Sequence, residues 1–325
     1  MDRSPFTKNQ IERVISLIEI FKTVNNELVT TDTFEEGVWV DMVNPSEEEI
    51  NRVSSSLNVE IDFLRAALDE EERARIESDE GQTLIVADTP IVENEGQMNI
   101  YYTIPLAIII LRHAIITVCL NEDTILEDFR KNKVKSFLTQ YKTRFVLQIL
   151  YRNAVRYLLY LKQIDKMSNK IEQDLHKSMR NKELIQMLKL EKSLVYFSTS
   201  LKANEVVLEK LLRLENIKKY PDDTDLLEDV IVENKQAIEM ANIYSSILTG
   251  TMDAFASVIS NNLNIVMKFL TSVTIVMAIP TLISSFFGMN VPLPLDGPGS
   301  FWIIVAITLA VCTVTGFTLY KKKLF

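Results

Sequence analysis

Two charge-free apolar runs near the C-terminus decide what kind of molecule this chain can form. From Phe269 to Ser300 the only charged residue is Asp296, and from Gly297 to Tyr320 there is none. A run of about 18 apolar residues without charge reads as a transmembrane helix. Residues 269–287 and 301–319 each reach that length, and nothing before residue 263 does. Over the whole chain of 325 residues, 47% are hydrophobic and 24% charged, with a net charge of −9. Those averages resemble a soluble protein only because the apolar residues are so unevenly spread. A wholly soluble protein is excluded, and so is a carrier with many spans. Cys119 and Cys312, both in apolar stretches, do not make a disulfide scaffold. Residues 1–30 carry Glu12, Glu19 and Glu27 without a long apolar core, so a cleavable signal peptide is not expected.

The basic residues orient the spans. Lys268 precedes the first, and Lys321, Lys322 and Lys323 follow the second, whereas the connecting segment Gly288–Ser300 has no Lys or Arg. Basic residues mark the cytoplasmic side, so both termini are expected in the cytoplasm and the loop outside. Trp302 and Tyr320 stand near the ends of the second span, where amphipathic rings favour the interface. Pro292, Pro294, Gly297, Pro298 and Gly299 make the loop a compact turn rather than helix.

The spans differ in kind. The second is apolar nearly all round. In the first, Thr271, Thr274, Ala278, Thr281, Ser285 and Gly288 recur at three- and four-residue steps, with Asn264 below them. Every residue on that line is small or polar. A close helix–helix contact would use such a line; so would a water-lined path built from several copies. Two helices per chain cannot enclose a path, so the second reading requires a homo-oligomer.

Ahead of the spans, residues 1–121 mix helix and strand signals. Val38–Val43 reads as a strand, leading into Ser46 and Glu49, a capping box that opens a helix. Residues 57–72 look helical, and Thr83–Ala87 and Asn99–Thr103 read as strands. Residues 105–120 read as two buried strands turning at Arg112-His113, with His113 a turn residue rather than a metal ligand. Residues 122–220 read as a helical hairpin, 122–179 and 182–219, turning at Ser178-Met179-Arg180-Asn181, without Gly or Pro. Pro221 with Asp222 and Asp223 then starts a very long helix. It forms a cytoplasmic stalk over 221–262 and runs on into the first span, for about 100 Å in all. Leu227, Val230, Ile231, Ile238, Tyr244, Leu248, Met252, Phe255 and Ile259 give the stalk a sustained apolar seam, the mark of a coiled coil or bundle member. The fold class is therefore α+β, with a transmembrane domain over 263–325: a first span at about 266–287, an outer loop at 288–300 and a second span at about 301–320.

At the outer end of the first span stand Phe286-Phe287-Gly288-Met289-Asn290. A lone Gly-Met-Asn is a weak signal, but here it follows a polar-striped span, opens a short loop and precedes one last span with a Lys-rich tail. In this the sequence resembles the CorA family of magnesium channels, and Ser257–Thr271 looks like that family's entry into the membrane. The resemblance implies a homopentameric funnel in the inner or plasma membrane that passes Mg2+, with Co2+ and Ni2+ as further cargo, and needs no organic cofactor. It implies Gly288, Met289 and Asn290 as the selectivity filter, with Asn290 a ring of amides and Gly288 allowing the turn out of the helix. Asn264 and Thr281 correspond to polar pore positions, Met267 and Leu270 to an apolar constriction, and Asp253 to an acidic ring at the cytoplasmic entrance. Two departures stand out: Ala278 replaces a bulky Met in mid-pore, and the outer loop holds only one acid, Asp296. Met289 points to magnesium over the family's zinc-transporting branch.

The acids cluster. Residues 69–80 hold seven acids against two arginines, and 222–233 hold six acids and no base. A solvated face accounts for both. The resemblance adds a regulatory reading, in which Mg2+ bound by carboxylates of neighbouring subunits holds the pore closed. By position these are Asp69, or Glu71 or Glu72 beside it, and Asp229. A membrane-anchored coiled-coil receptor or scaffold is the competing reading, and a plain anchor has no reason to keep hydroxyls at this spacing. An enzyme is not expected: there is no phosphate-binding glycine loop, no Ser/His/Asp grouping and no ligand cluster around His113 or His176. Nor is there a basic patch for nucleic acid.

Overall fold

The structure, a computed structural model, describes residues 17–96, 98–178, 181–213, 220–289 and 299–322. They form two compact units, Met1–Thr249 and Gly250–Phe325. The first holds a seven-stranded sheet in the order β2-β1-β3-β7-β6-β5-β4. Its strands are β1 Leu17–Val24, β2 Glu27–Thr30, β3 Val38–Val43, β4 Arg75–Asp79, β5 Gln82–Glu95, β6 Met98–Ile110 and β7 Ala114–Cys119. β3 and β7 pair in parallel, and the other pairs are antiparallel. All six residues of β3 are buried. The turn at Arg112-His113 forms as expected: Leu111 N–H donates to Ala114 O at 2.9 Å, and His113 is exposed.

Alternation along the strands splits the core between the sheet's two faces. Val38, Val40 and Met42 face Ile50 and Val53 of α1 (Glu47–Leu57) and Phe63 and Leu64 of α2 (Ile61–Arg65). Trp39, Ile85 and Ile108 point the other way. They meet Phe129 of α3 (Thr124–Arg130), Phe145 of α4 (Lys142–Ser178), Leu208 of α5 (Asn181–Leu211) and Leu227 of α6 (Pro221–Phe287). The capping box stands at the start of α1, where Ser46 Oγ accepts from Glu49 N–H and Glu49 accepts from Ser46 N–H at 2.8 Å.

Two expectations need correction. Residues 57–72 are not one helix: Asn58 takes a left-handed conformation (φ 54°) that ends α1, and only α2 and a 3-10 turn at Ala66–Leu68 follow. Residues 122–179 are not one helix either. Asn132 (φ 52°) and Ser136 (φ 57°) turn the chain between α3 and α4, left-handed positions that the absence of Gly and Pro conceals. Of the two readings of the stalk seam, bundle member holds for its lower part: Leu227, Val230 and Leu248 are buried within this unit, with Ala237 and Ala241 beside them, whereas Ile259 is exposed. Asn234 Nδ2 donates to Leu201 O of α5 at 3.1 Å along the same face. The lower part of the α6 seam thus belongs to an intrachain bundle. The expected hairpin turn includes Met179 and Arg180, which lie outside the described residues, as do 214–219 at the end of the second expected helix.

Polar contacts tie the α4–α5 layer to β5. Asn204 Oδ1 accepts from Asp88 N–H at 2.9 Å, while Asn204 Nδ2 and Asn153 Nδ2 each donate to Asp88 O at 2.8 Å. Burial pushes the Asp88 carboxyl up to about 6, with the Ser200 hydroxyl opposing part of the rise. A carboxyl with a raised folded pKa favours folding below its unfolded value and loses that contribution as pH climbs through the folded value. Asp88→Asn should therefore gain stability relative to the parent between about pH 4 and 6. The gain should level at about 3 kcal/mol above that range, a shift of a few degrees in thermal unfolding of the full-length protein in detergent. A melting difference independent of pH would contradict this assignment.

Candidate functional site

The second unit contains the part of α6 from Gly250 onward and α7 (Ser300–Lys321). Both helices are long and apolar enough to cross a membrane. Trp302 and Tyr320 are exposed near the two ends of α7, as interfacial rings should be. α7 starts after Gly299, whose carbonyl accepts from Trp302 N–H at 3.0 Å.

The span portion of α6 divides into three sectors. One edge is covered: Ser272 is buried, and Val273, Val276, Ile279, Pro280, Ile283 and Phe287 are half-buried. Cys312 of α7 places its Sγ 3.8 Å from Val276 O, so α7 is what covers this edge. On α7 the half-buried positions Ile304, Val305, Thr308, Cys312, Thr315, Gly316 and Leu319 form the matching stripe. At about 100° per residue, Thr271, Thr274, Ala278, Thr281, Ser285 and Gly288 project within ~60° of the direction opposite Val276. All six are exposed. The polar line therefore does not serve the contact with the chain's own second span. The flanking sectors carry the large apolar side chains Ile275, Leu282 and Phe286 on one side and Met277 on the other, all exposed, as lipid contact would require.

The hydroxyls on the polar edge are held in a defined way. Thr274 Oγ1 donates to Leu270 O at 2.8 Å, and Thr281 Oγ1 donates to Met277 O at 3.4 Å. Each hydroxyl spends its hydrogen on its own helix and turns its oxygen lone pairs outward as acceptors. Met267 and Leu270 continue the same edge below the hydroxyls and are exposed, as is Asn264. Asp253, lower still, is exposed and accepts at its backbone carbonyl from Ser257 Oγ at 3.0 Å.

At the top of α6, Gly288 N–H donates to Ser284 O at 2.9 Å. A Cβ at position 288 would approach Ser284 O to 3.2 Å. Gly288 is thus needed for a tight backbone approach, and its φ lies outside the left-handed region. α6 ends at Phe287, and the chain turns out of the helix at Gly288. Met289 is exposed. Asn290 and residues 291–298 of the loop, Asp296 among them, lie outside the described residues, as does Lys323.

The expected regulatory carboxylates all belong to the first unit. Asp69 is exposed and accepts from Glu71 N–H at 3.0 Å; Glu71 is exposed; Glu72 pairs with Arg75 at 2.5 Å. Asp229 is exposed and lines an open groove of about 940 Å3 between α4 and α6, across from Arg144, Arg152, Arg156, Lys133 and Lys135. Among the described residues no group of three or more His, Cys, Asp or Glu side chains is placed to hold a metal. A single chain does not bring these acids together as a ligand set.

Sequence reasoning missed the partnership of Pro280, Val276 and Cys312. Pro280 marked only a weak point in the helix, and Cys312 only an apolar stretch. The available signal was that a proline inside a span leaves the carbonyl four residues earlier without its helical donor.

Residues 34–322 match the family model described as CorA-like Mg2+ transporter protein. The chain is 30% identical over 292 residues to the cobalt/magnesium transport protein CorA of Methanocaldococcus jannaschii, covering 85% of this chain and 88% of that one. Its structure is similar to the complete structure of the CorA magnesium transporter from M. jannaschii, with a TM-score of 0.82 at 26% identity over 94% of this chain and 98% of that one. It also shares the fold of the full-length CmaX protein, with a TM-score of 0.68 at 15% identity over 94% and 97% of the two chains.

Proposed function

The chain belongs to the CorA-like Mg2+ transporter protein family, and on that premise we propose that it is a homopentameric channel for hydrated Mg2+. Co2+ and Ni2+ are further cargo. The observation that carries this reading is the exposed hydroxyl edge of α6, turned away from the chain's own second span. Six small or polar positions in register along one edge are what a second helix or a water-filled path would use. Five copies with these edges toward a common axis supply a water-filled path, and their apolar flanks and α7 helices meet the bilayer.

The chemistry suits the cargo. Mg2+ gives up its octahedral water shell reluctantly, and the outer surface of that shell presents hydrogens. Thr274 and Thr281, with their own hydrogens already committed, offer oxygens that accept from those waters. Asn290 adds an outer ring of amide oxygens, and neutral acceptors hold the ion loosely enough for it to leave. Met267 and Leu270 form the apolar narrowing, where the path closes by dewetting. The membrane potential contributes about 2.3 kcal/mol per charge per 100 mV, hence about twice that for a divalent ion. With both termini cytoplasmic, in the inner or plasma membrane, it drives Mg2+ inward.

Regulation follows from carboxylates shared between copies. Internal Mg2+ bridging Asp69, with Glu71 or Glu72, of one copy and Asp229 of the next would neutralise their repulsion and favour the closed, symmetric state.

The test is ion uptake by the purified protein in liposomes. An inside-negative potential should drive Mg2+ entry, and Co2+ should compete. Absence of Mg2+ entry under an inward gradient would overturn the magnesium assignment; Zn2+ entry in its place would move the chain to the zinc-preferring branch.

A further inference from the structure

Pro280 interrupts the hydrogen-bond ladder of α6 in mid-span. It has no N–H, so it cannot donate to Val276 O, the acceptor that its place in the helix assigns to it. In hydrocarbon an unmet carbonyl is costly, and prolines in spans persist where a neighbouring group satisfies the freed oxygen. Cys312 of α7 stands in that position, with its Sγ 3.8 Å from Val276 O. A thiol is a weak donor with a long reach. The hydroxyls around it behave differently: Thr308, Thr313 and Thr318 each donate to the carbonyl four residues earlier on α7 itself, at 2.7–2.8 Å. The thiol instead crosses to α6.

The location matters for the path. Ala278 and Thr281 flank Pro280 and project from the opposite edge of the same turn. A helix missing one rung can bend there, and bending would move the Thr281 oxygens toward or away from any shared axis. We propose that Cys312 is a positioning residue for ion passage: its S–H closes the rung that Pro280 leaves open and fixes the turn that presents Ala278 and Thr281. This inference rests on the reading of α6 as the path-lining helix.

The experiment is a two-by-two set in the full-length protein: parent, Cys312→Ala, Pro280→Ala and the double variant, each in liposomes. Pro280→Ala restores a backbone donor to Val276 O and makes the thiol dispensable. Cys312→Ala is expected to lower Mg2+ uptake at least about threefold in the Pro280 background, the scale of one weak hydrogen bond even before all five copies are counted, and to leave uptake unchanged in the Pro280→Ala background. Infrared spectroscopy reads the contact independently of transport. The difference between each Cys312 protein and its Cys312→Ala counterpart cancels Cys119 and isolates the Cys312 S–H stretch. That band should lie at the lower wavenumber of a bonded thiol in the parent and shift upward in Pro280→Ala. An equal loss of uptake in both backgrounds, or a band indifferent to Pro280→Ala, would overturn the proposal. Failure of the parent to take up any Mg2+ would instead overturn the path reading, and the infrared arm would still decide whether the thiol closes the rung.

Discussion

Asn290→Ala is expected to reduce Mg2+ uptake about a hundredfold in liposomes with matched protein content. The magnitude follows from five equivalent amides at the mouth of a pentamer. Each loses one hydrogen bond to the ion's water shell, worth roughly 0.6 kcal/mol net, and five together approach ~3 kcal/mol, a factor of ~100. Position 290 follows the last residue of α6, Phe287, in sequence, and equal oligomeric state and melting temperature of the two proteins serve as the control for folding. Uptake within a few-fold of the parent, at equal oligomeric state, would remove Asn290 from the ion's route.

The second large effect concerns regulation. In the parent, Mg2+ uptake should fall as internal Mg2+ rises. In the Asp69→Lys, Asp229→Lys double variant the added ammonium groups occupy the place of the ion, and inhibition should disappear. At saturating internal Mg2+ the variant should then conduct about tenfold more than the parent, within the 1–3 kcal/mol usual for coupling between sites. Each side chain is exposed on the first unit, so the substitutions disturb no core. In the groove beside Asp229, Arg152, Arg156 and Lys133 pair with Asp128, and Arg144 pairs with Asp222. Among the described residues no group of three acids is placed to hold a metal, which is the reason to place the second set of ligands on a neighbouring copy. Inhibition unchanged in the double variant would move the sensor elsewhere and leave the path untouched.

Much of this architecture was legible in the residues because the membrane imposes simple rules. Absence of charge marked both spans, and the period of hydroxyls along Thr271–Ser285 marked the edge that the structure leaves open opposite Val276. The turn at Arg112-His113 and the cap at Ser46 were likewise local chemistry. What was not legible lay in less distinctive residues. The β1–β2 hairpin turns on Asn25 and Asn26, both at positive φ, and β1 itself carries Glu19 and Lys22, so its strand pattern is diluted. Asn132 and Ser136 end a helix without Gly or Pro. The α6 seam left coiled coil and bundle member both open, because periodicity states that a face is apolar and not what covers it; α4 and α5 of the same chain cover its lower part. The regulatory role proposed for Asp69 and Asp229 requires contacts between copies, which a single chain's pattern does not encode.

In the proposed channel the hydroxyl edge of α6 meets water while its flanks meet lipid. The most direct measurement is the reaction of single cysteines at Thr281 and Ile275 with a charged, water-soluble thiosulfonate in liposomes, the unsubstituted chain serving as the blank for Cys119 and Cys312. The account expects Thr281→Cys to be modified, with Mg2+ uptake blocked in consequence, and Ile275→Cys to stay unreacted. Preferential modification of Ile275→Cys, with Thr281→Cys inert, would mean that the threonines face acyl chains and that no shared path exists.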